Sequence, residues 1–274
     1  MTARLRIALF AEGSESPPTK RGRQVLETLW NEDLGRALNL RRFDLVVPIS
    51  KTHLVAMDPR NPPMSGAGEQ LDQLLDRVLK KTPFDVAVVA WDLVPAWNPK
   101  GEFCRWIETV DLYRFLAESN CLPEVWRTSA GERFQELSQR ATPGSRRRLP
   151  PLRPGMVLPV CMEPVFEGML VRDEGAVRRA LGIEGMAVKG WPRQGWGDAQ
   201  DMRPDLSILT PAVRALRALE PKRPILRTIH GDMKTHKSEW VELLLRRLLE
   251  DKRSRSHVLS HPIARRLSEL LSDR

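Results

Sequence analysis

Five charged residues have the types that phosphate chemistry needs: Glu12, Asp92, Glu167, Lys234 and Lys237. Carboxylates such as those of Glu12 and Asp92 are ligands that Mg²⁺ accepts in proteins. A bound metal ion can orient a phosphodiester and activate a water molecule. A lysine such as Lys234 or Lys237 can stabilise the negative charge that develops during attack on phosphorus. These are the residue types that metal-dependent hydrolysis of a phosphodiester uses.

Four short apolar segments, each of them about six to eight residues long, are predicted to be strands. They lie at 4–11, 43–50, 84–91 and 156–161. A segment with helical periodicity follows each of the first three, at 23–40, 71–78 and 102–118. Strands that alternate with helices in this way predict right-handed crossovers and a parallel sheet. The expected fold class is therefore α/β: a mainly parallel sheet flanked by helices, with a mostly helical C-terminal part.

The first and third predicted strands each end at an acidic residue. Glu12 follows the first and Asp92 follows the third. Ligands of parallel sheets bind beyond the carboxyl ends of the strands, so these two carboxylates are expected to converge on one cation. Glu15, in the turn after the first strand, is the third candidate metal ligand. The alternative for each acid is that it caps the next helix or faces solvent.

Three short motifs carry a family resemblance. The Ala-Glu-Gly motif around Glu12 resembles the first motif of Toprim domains, and the strand that ends at Asp92 resembles their second, an Asp-x-Asp motif. The Phe-Glu pair at Glu167, which opens a hydrophobic segment leading to Asp173, resembles a Toprim-like family of uncharacterised proteins from phage-defence operons. Relatives of that family include the overcoming-lysogenisation-defect nucleases. The resemblance covers roughly residues 4–180.

The resemblance implies a function, a cofactor and partners. The expected activity is that of a Mg²⁺- or Mn²⁺-dependent nuclease acting on DNA or RNA in a prokaryotic defence or mobile-element system. A partner ATPase encoded nearby is a further expectation. Glu12 and Asp92 would hold the metal, with Glu15 or Glu167 completing the set of ligands, and Lys234 or Lys237 would stabilise the transition state.

Two departures from the family pattern leave an alternative open. Val94 stands where the second aspartate of the Asp-x-Asp motif is expected, and the second acid of the first motif is displaced to Glu15. The alternative is a catalytically degenerate Toprim-like subunit that binds a partner ATPase or nucleic acid. For the segment 230–237, which contains both lysines, the alternative is a solvated turn before a helix.

The chain is basic, with 44 Lys and Arg against 35 Asp and Glu, a net charge of +9 and a pI near 9.9. Such a balance permits nucleic-acid binding through phosphate contacts. Arg146, Arg147 and Arg148, in a basic proline-rich loop at 143–155, are the candidate phosphate contacts; a plain basic loop is the alternative. Two domains are expected. The first is a Toprim-like core at 1–182, which contains this loop, and the second is a region at 183–274 that begins with loops and continues with helices.

The composition also indicates the cellular compartment in which the protein resides. No apolar run approaches the ~20 residues of a membrane-spanning helix. The three cysteines lack the CxxC spacing of many zinc sites and are odd in number, which argues against a disulfide framework. A cytoplasmic protein without membrane association is therefore expected.

Local signals in the second half of the chain predict further helices. Asp173 is expected to cap a short helix that ends at Gly182. Thr210 and Pro211 are expected to open a helix that ends before Pro221. Apolar residues at helical spacing predict two more helices, around 240–248 and 259–270.

Overall fold

The chain folds into two compact units. The computed structural model describes residues 4–12, 25–50, 53, 69–92, 110–139, 151–162, 165–197, 203–219, 229 and 231–272. The first unit comprises Met1–Glu15 and Phe43–Cys161, and the second comprises Ser16–Arg42 and Met162–Arg274. Both units are discontinuous in sequence, and the domain division at residue 182 stays a prediction. Within the described ranges, no helix has the length and apolar character needed to cross a membrane.

Four parallel strands form one sheet, which confirms the predicted α/β class. They are β1 (Ile7–Glu12), β2 (Leu45–Ile49), β3 (Val86–Asp92) and β4 (Met156–Met162), in the spatial order β2-β1-β3-β4. β1 pairs with β2 on one side and with β3 on the other. Each strand lies within about three residues of its predicted bounds, because short apolar runs are a strong strand signal.

The remaining elements are helical. The α-helices are α1 (Leu34–Leu38), α2 (Leu71–Lys81), α3 (Val110–Ala117), α4 (Glu124–Ser138), α5 (Glu174–Ala180), α6 (Thr210–Leu219), α7 (Lys237–Glu250), α8 (Lys252–Leu259) and α9 (Pro262–Leu271). π-helical turns precede α1 and α6, at Thr28–Asp33 and Asp205–Leu209, and Phe166–Met169 forms a 3₁₀ turn. Residues 101–109, where the predicted helix at 102–118 begins, lie outside the described residues.

A Phe-Asp pair precedes both β2 and β3, as Phe43-Asp44 and Phe84-Asp85, and its aspartate fixes the register of each strand against β1. Asp44 precedes β2, and its Oδ2 accepts a hydrogen bond from the Ile7 backbone N at 2.8 Å. Asp85 precedes β3, and its Oδ2 accepts one from the Arg6 backbone N at 2.7 Å. Both carboxylates therefore satisfy backbone donors at the start of β1, and they do so at the sheet edge opposite to Glu12 and Asp92.

One face of the sheet carries the core of the first unit. Its apolar residues pack with buried side chains of α2, α3 and α4. Members of this core are Ala8, Phe10, Ala87, Val89, Trp91, Leu71, Leu74, Leu75, Leu112, Tyr113, Leu116, Trp126 and Ala130. The Tyr113 hydroxyl donates to the Val157 carbonyl oxygen at 2.7 Å, and burial raises the pKa of Tyr113 to about 12. That hydrogen bond ties α3 to β4.

Helix ends in the second unit follow from local sequence. Asp173 Oδ1 accepts a hydrogen bond from the Ala176 backbone N at 2.7 Å, which confirms its predicted role as the cap of α5. Gly182, at φ +69°, terminates the same helix in the left-handed conformation that glycine tolerates. Three helices, α7, α8 and α9, close the described chain where two were predicted, because Asp251 and His261 each cap a new helix.

The predicted helix start at Thr210 is only partly right. α6 begins there, but the π-helical turn Asp205–Leu209 runs directly into it, and Thr210 Oγ1 donates to the Asp205 carbonyl oxygen at 2.8 Å. Pro211 has no backbone N–H, so it cannot continue the i→i−4 hydrogen-bond series from the preceding turn. A π turn immediately before the proline accommodates this missing donor.

The second unit also joins distant parts of the chain. The Arg41 backbone N donates to the Leu271 carbonyl oxygen at 2.8 Å, and Leu40 forms an antiparallel bridge with Ser272. The segment after α1 is therefore held by the end of α9.

Candidate functional site

The sheet has a topological switch point between β1 and β3. The chain passes from β1 to β2 on one side and then to β3 on the other. In open parallel sheets, this change of direction opens a crevice beyond the carboxyl ends of the two strands that flank it, and ligands bind there. Glu12 is the last residue of β1 and Asp92 is the last residue of β3. The two predicted metal ligands therefore end the two strands that flank the switch point.

Glu12 and Asp92 are in direct contact. Glu12 Oε2 accepts a hydrogen bond from the Asp92 backbone N at 3.1 Å, and both residues are half-buried. The register aligns Ala11 with Ala90, so strand alternation places Glu12 on the face of Trp91 and Asp92 on the opposite face. The Glu12 carboxylate thus reaches across the end of β3, and any ligand that both carboxylates contact must lie beyond the strand ends.

The chemistry of these donors fits a hard divalent cation. Mg²⁺ commonly takes one or two carboxylates from the protein and keeps several waters. Over the described ranges, no group of three or more His, Cys, Asp and Glu side chains is placed to hold a metal ion. Glu15 and Val94 lie outside the described residues. Glu12 and Asp92 are therefore the pair on which a metal site at this edge depends.

Glu167 and Lys237 belong to a buried ion cluster in the second unit. Lys237 Nζ lies 2.8 Å from Glu167 Oε1 and 3.1 Å from Asp205 Oδ2. The Arg203 guanidinium donates to both oxygens of Asp205, at 2.9 and 2.7 Å. Glu167 and Asp205 are only 5% and 3% exposed. Two carboxylates and two cations thus neutralise one another and connect the 3₁₀ turn, the π turn before α6, and α7.

The charges of this cluster are strongly stabilised. Burial disfavours the ionised form of Asp205, but the hydrogen bonds from Arg203 and the charge of Lys237 outweigh it and lower the pKa of Asp205 to about 2. Glu167 Oε2 is buried without a hydrogen-bond partner. Lys237 is accordingly a fixed cation between two buried carboxylates. Whether Glu167 also completes the metal site of the first unit stays a prediction.

Lys234 lies in an ordered surface turn. Asp232 Oδ1 accepts hydrogen bonds from the backbone N of Lys234 at 3.0 Å and from that of Thr235 at 3.1 Å. The backbone and hydroxyl hydrogen bonds from Thr235 lower the pKa of Asp232. The Lys234 side chain is exposed. This is the solvated turn that the sequence left open as the alternative, and it leads directly into α7.

A third polar cluster, which the sequence analysis did not single out, lies at the carboxyl end of β2. Ser50, directly after this strand, contacts His53, and His53 in turn lies beside Glu69. Ser50, His53 and Glu69 do not belong to a sequence motif with a known spacing, so no sequence pattern indicated this cluster. The available signal was the position of Ser50 immediately after a predicted strand, the same rule that selected Glu12.

Trp91, Trp191 and Trp196 have different surroundings. Trp91 is 1% exposed and belongs to the core of the first unit. Trp191 and Trp196 stack with ring centroids 5.9 Å apart and planes 12° apart, and the Arg178 guanidinium lies 4.7 Å above the Trp191 ring. Trp196 is half-buried. Arg146, Arg147, Arg148 and Trp97 lie outside the described residues.

No family model, curated protein or solved structure matches the chain. The resemblance to Toprim-like proteins therefore rests on the three short motifs around Glu12, Asp92 and Glu167. The parallel sheet is consistent with that resemblance in fold class alone.

His261 gives the second unit a predictable response to acid. It is 6% exposed, and its Nδ1 accepts a hydrogen bond from the Ile263 backbone N at 3.1 Å at the start of α9. Burial, with a smaller effect of Arg172, lowers the pKa of His261 from 6.5 to about 4. The unfolded chain therefore binds a proton at a pH where the native state does not, and stability should fall as the pH drops from about 6.5 towards 4.

Urea unfolding between pH 7 and pH 4 measures this effect. The variant His261→Asn keeps a side-chain oxygen that can cap α9 but has no titratable ring. Its unfolding midpoint should fall less over this pH range than that of the wild type. If the unfolding midpoints of the two proteins fell equally with pH, His261 would not be the group responsible for the loss of stability.

Proposed function

We propose that this protein is a metal-dependent nuclease that hydrolyses phosphodiester bonds of DNA or RNA in the cytoplasm of a prokaryote. The observation that carries the proposal is the position of Glu12 and Asp92, which end the two strands at the switch point and are joined by a 3.1 Å hydrogen bond. The Toprim-like motifs support a role in phage defence or in a mobile element.

Each residue has a role in this proposal. Glu12 and Asp92 hold Mg²⁺ or Mn²⁺, and Glu15 or Glu167 completes the set of ligands. The metal supplies orientation of the phosphodiester and activation of a water molecule. Lys234 or Lys237 stabilises the transition state; the Lys234 side chain is exposed, whereas Lys237 Nζ lies between two carboxylates.

The test is a cleavage assay with the full chain. Single- and double-stranded DNA and RNA are incubated with Mg²⁺, with Mn²⁺ or with EDTA, with and without any ATPase encoded nearby. We expect cleavage of at least one substrate that requires the metal and stops with EDTA. Absence of cleavage under all these conditions, together with no Mg²⁺ binding by calorimetry, would contradict the proposal.

A second candidate function is a non-catalytic subunit that binds nucleic acid or a partner ATPase. Two observations favour it: Val94 occupies the position of an expected metal ligand, and Lys237 is neutralised within its ion cluster. Such a subunit would bind nucleic acid equally well in EDTA and would not cut it. The same substrates therefore distinguish the two candidates.

Both candidates predict phosphate contacts by Arg146, Arg147 and Arg148. Replacing all three by alanine should weaken nucleic-acid binding and reduce the slope of log affinity against log salt by up to ~3, if each contacts one phosphate. Fluorescence anisotropy over a range of salt concentrations measures the slope, with an alanine replacement of the ion-paired Arg153 as the control. A slope equal to that of the wild type would leave these arginines without a role in binding.

A further inference from the structure

Ser50 and His53 lie at the same edge of the sheet as Glu12. Ser50 follows Ile49, the last residue of β2, and Ile49 is the register partner of Glu12 in β1. A side chain at this point lies next to the switch-point crevice but on a different strand from the proposed metal ligands. The cluster belongs entirely to the first unit.

The hydrogen bonds of His53 fix which ring nitrogen can accept a proton. The Ser50 backbone N donates to His53 Nδ1 at 3.0 Å. Because a backbone N–H can only donate, Nδ1 is the unprotonated nitrogen and the neutral ring carries its proton on Nε2. Ser50 Oγ also lies 3.0 Å from this Nδ1, within hydrogen-bond distance, so the hydroxyl can donate to the same nitrogen. This is the contact through which a histidine activates a serine.

The other side of the ring faces an anchored carboxylate. His53 Nε2 lies 3.5 Å from Glu69 Oε2, and the His53 side chain is 15% exposed. Arg77 donates to both oxygens of Glu69, at 2.6 and 2.7 Å. The Arg77 hydrogen bond, against a smaller effect of burial, lowers the pKa of Glu69. Glu69 is therefore charged at neutral pH and can stabilise the imidazolium that forms when His53 accepts a proton.

A purely structural role of the contact between Ser50 and His53 accounts for only part of this arrangement. The His53 backbone N donates to the Ser50 carbonyl oxygen at 3.1 Å, so the backbones of these two residues are also hydrogen-bonded. Such a contact does not require a carboxylate at the far ring nitrogen, nor a bidentate arginine that fixes that carboxylate. A nucleophile, a base and a group that orients the base are the three components of nucleophilic catalysis.

We propose that Ser50 is a nucleophile, activated by His53, that attacks the phosphorus atom of a phosphate ester. As the Oγ–P bond forms, the hydroxyl proton passes to His53 Nδ1, the bond from phosphorus to the leaving oxygen breaks, and that oxygen takes the proton from His53. Water then attacks the phosphorus of the phosphoserine and gives its proton to His53, the Oγ–P bond breaks, and Ser50 Oγ takes that proton back from His53 as phosphate leaves. Glu69 is a positioning residue. The proposal does not rest on the metal site at Glu12 and Asp92.

A fluorophosphonate probe tests the proposal directly, since its electrophilic phosphorus reacts with activated serines. The full chain is treated with the probe in EDTA, which removes any contribution of a metal, and the adduct is located by intact-mass and peptide mass spectrometry. We expect one adduct, on Ser50, with none in Ser50→Ala. Absence of an adduct on Ser50 in the wild type overturns the proposal without bearing on metal-dependent cleavage.

Variants of His53 and Glu69 test whether these two residues activate Ser50. His53→Gln can still accept the Ser50 backbone hydrogen bond but is not a base, and labelling should slow by at least about a hundredfold. Glu69→Gln should slow labelling about tenfold, and Glu69→Asp should restore part of the rate. Ser138→Ala, which removes an exposed hydroxyl bonded to the Phe134 carbonyl, is the control and should label at the wild-type rate. Equal rates in wild type and His53→Gln would overturn the proposal.

Discussion

Replacing Glu12 by alanine should lower the rate of metal-dependent cleavage at least about a thousandfold. A metal that orients the phosphate and activates the water contributes several kcal/mol to transition-state stabilisation, and tenfold in rate corresponds to 1.36 kcal/mol. In the proposed site, loss of one of the two carboxylate ligands would remove most of that contribution. The fold should survive, because Glu12 ends β1 and is not part of its apolar core. Asp92→Ala should have the same effect.

The matched control for Glu12→Ala is Glu12→Gln. Glutamine keeps an oxygen that can accept the hydrogen bond from the Asp92 backbone N, but it loses the negative charge. If the role of Glu12 is to bind a metal, the glutamine variant is as inactive as the alanine variant and binds Mg²⁺ as weakly in calorimetry. If its role is only to hold the end of β3, glutamine restores activity. If the wild-type site is active, Val94→Asp, which restores the acid expected in the Asp-x-Asp motif, should keep the cleavage rate or raise it.

Lys237→Met should destabilise the protein by about 2 kcal/mol. Removing one member of a buried ion pair leaves its partner charged and uncompensated, which typically costs several kcal/mol. The estimate is reduced here because the Lys237 side chain is 33% exposed and because Asp205 keeps its bonds to Arg203. Urea unfolding at pH 7 measures the change in the free energy of unfolding.

A double-mutant cycle separates the contribution of the ion pair to stability from that of the rest of the Lys237 side chain. Glu167→Gln removes the carboxylate that Lys237 neutralises, so the double variant Lys237→Met/Glu167→Gln should be more stable than the sum of the two single changes implies, by about 1–2 kcal/mol. Lys234→Met is the matched control in the turn before α7, and it should change stability by less than about 0.5 kcal/mol. Equal effects of the two lysine changes would contradict the importance of the cluster.

The strands and the position of the acids at their ends were predictable because both depend on local sequence. Continuous apolar runs identify β1 and β3, and the chain must then place Glu12 and Asp92 at the carboxyl edge of any parallel sheet. Asp173 was predictable for a similar reason, since a helix cap acts within three residues. The physical information for these features lies within one element.

Other features depend on contacts that no local pattern encodes. The cluster at Lys237 joins it to Glu167 and Asp205, which are 70 and 32 residues away. The weakly amphipathic α4 was missed, because its buried face includes Ser129 and Arg133 as well as Trp126 and therefore lacks a clear apolar stripe. His53 meets Ser50 only because of the conformation that the chain adopts after β2. Sequence periodicity carries no signal for contacts of these kinds.

The contacts of Leu40 and Arg41 with the end of α9 have a consequence for the order in which the protein can fold during synthesis. These partners are synthesised about 230 residues after Leu40. At translation rates of roughly 5–20 residues per second, α1 therefore waits on the order of 10–50 s for them. During this time Leu29, Trp30 and Leu34, which are buried in the native state in and just before α1, lack the packing that α7 and α9 supply. This interval is where a nascent chain of this protein would most benefit from a chaperone.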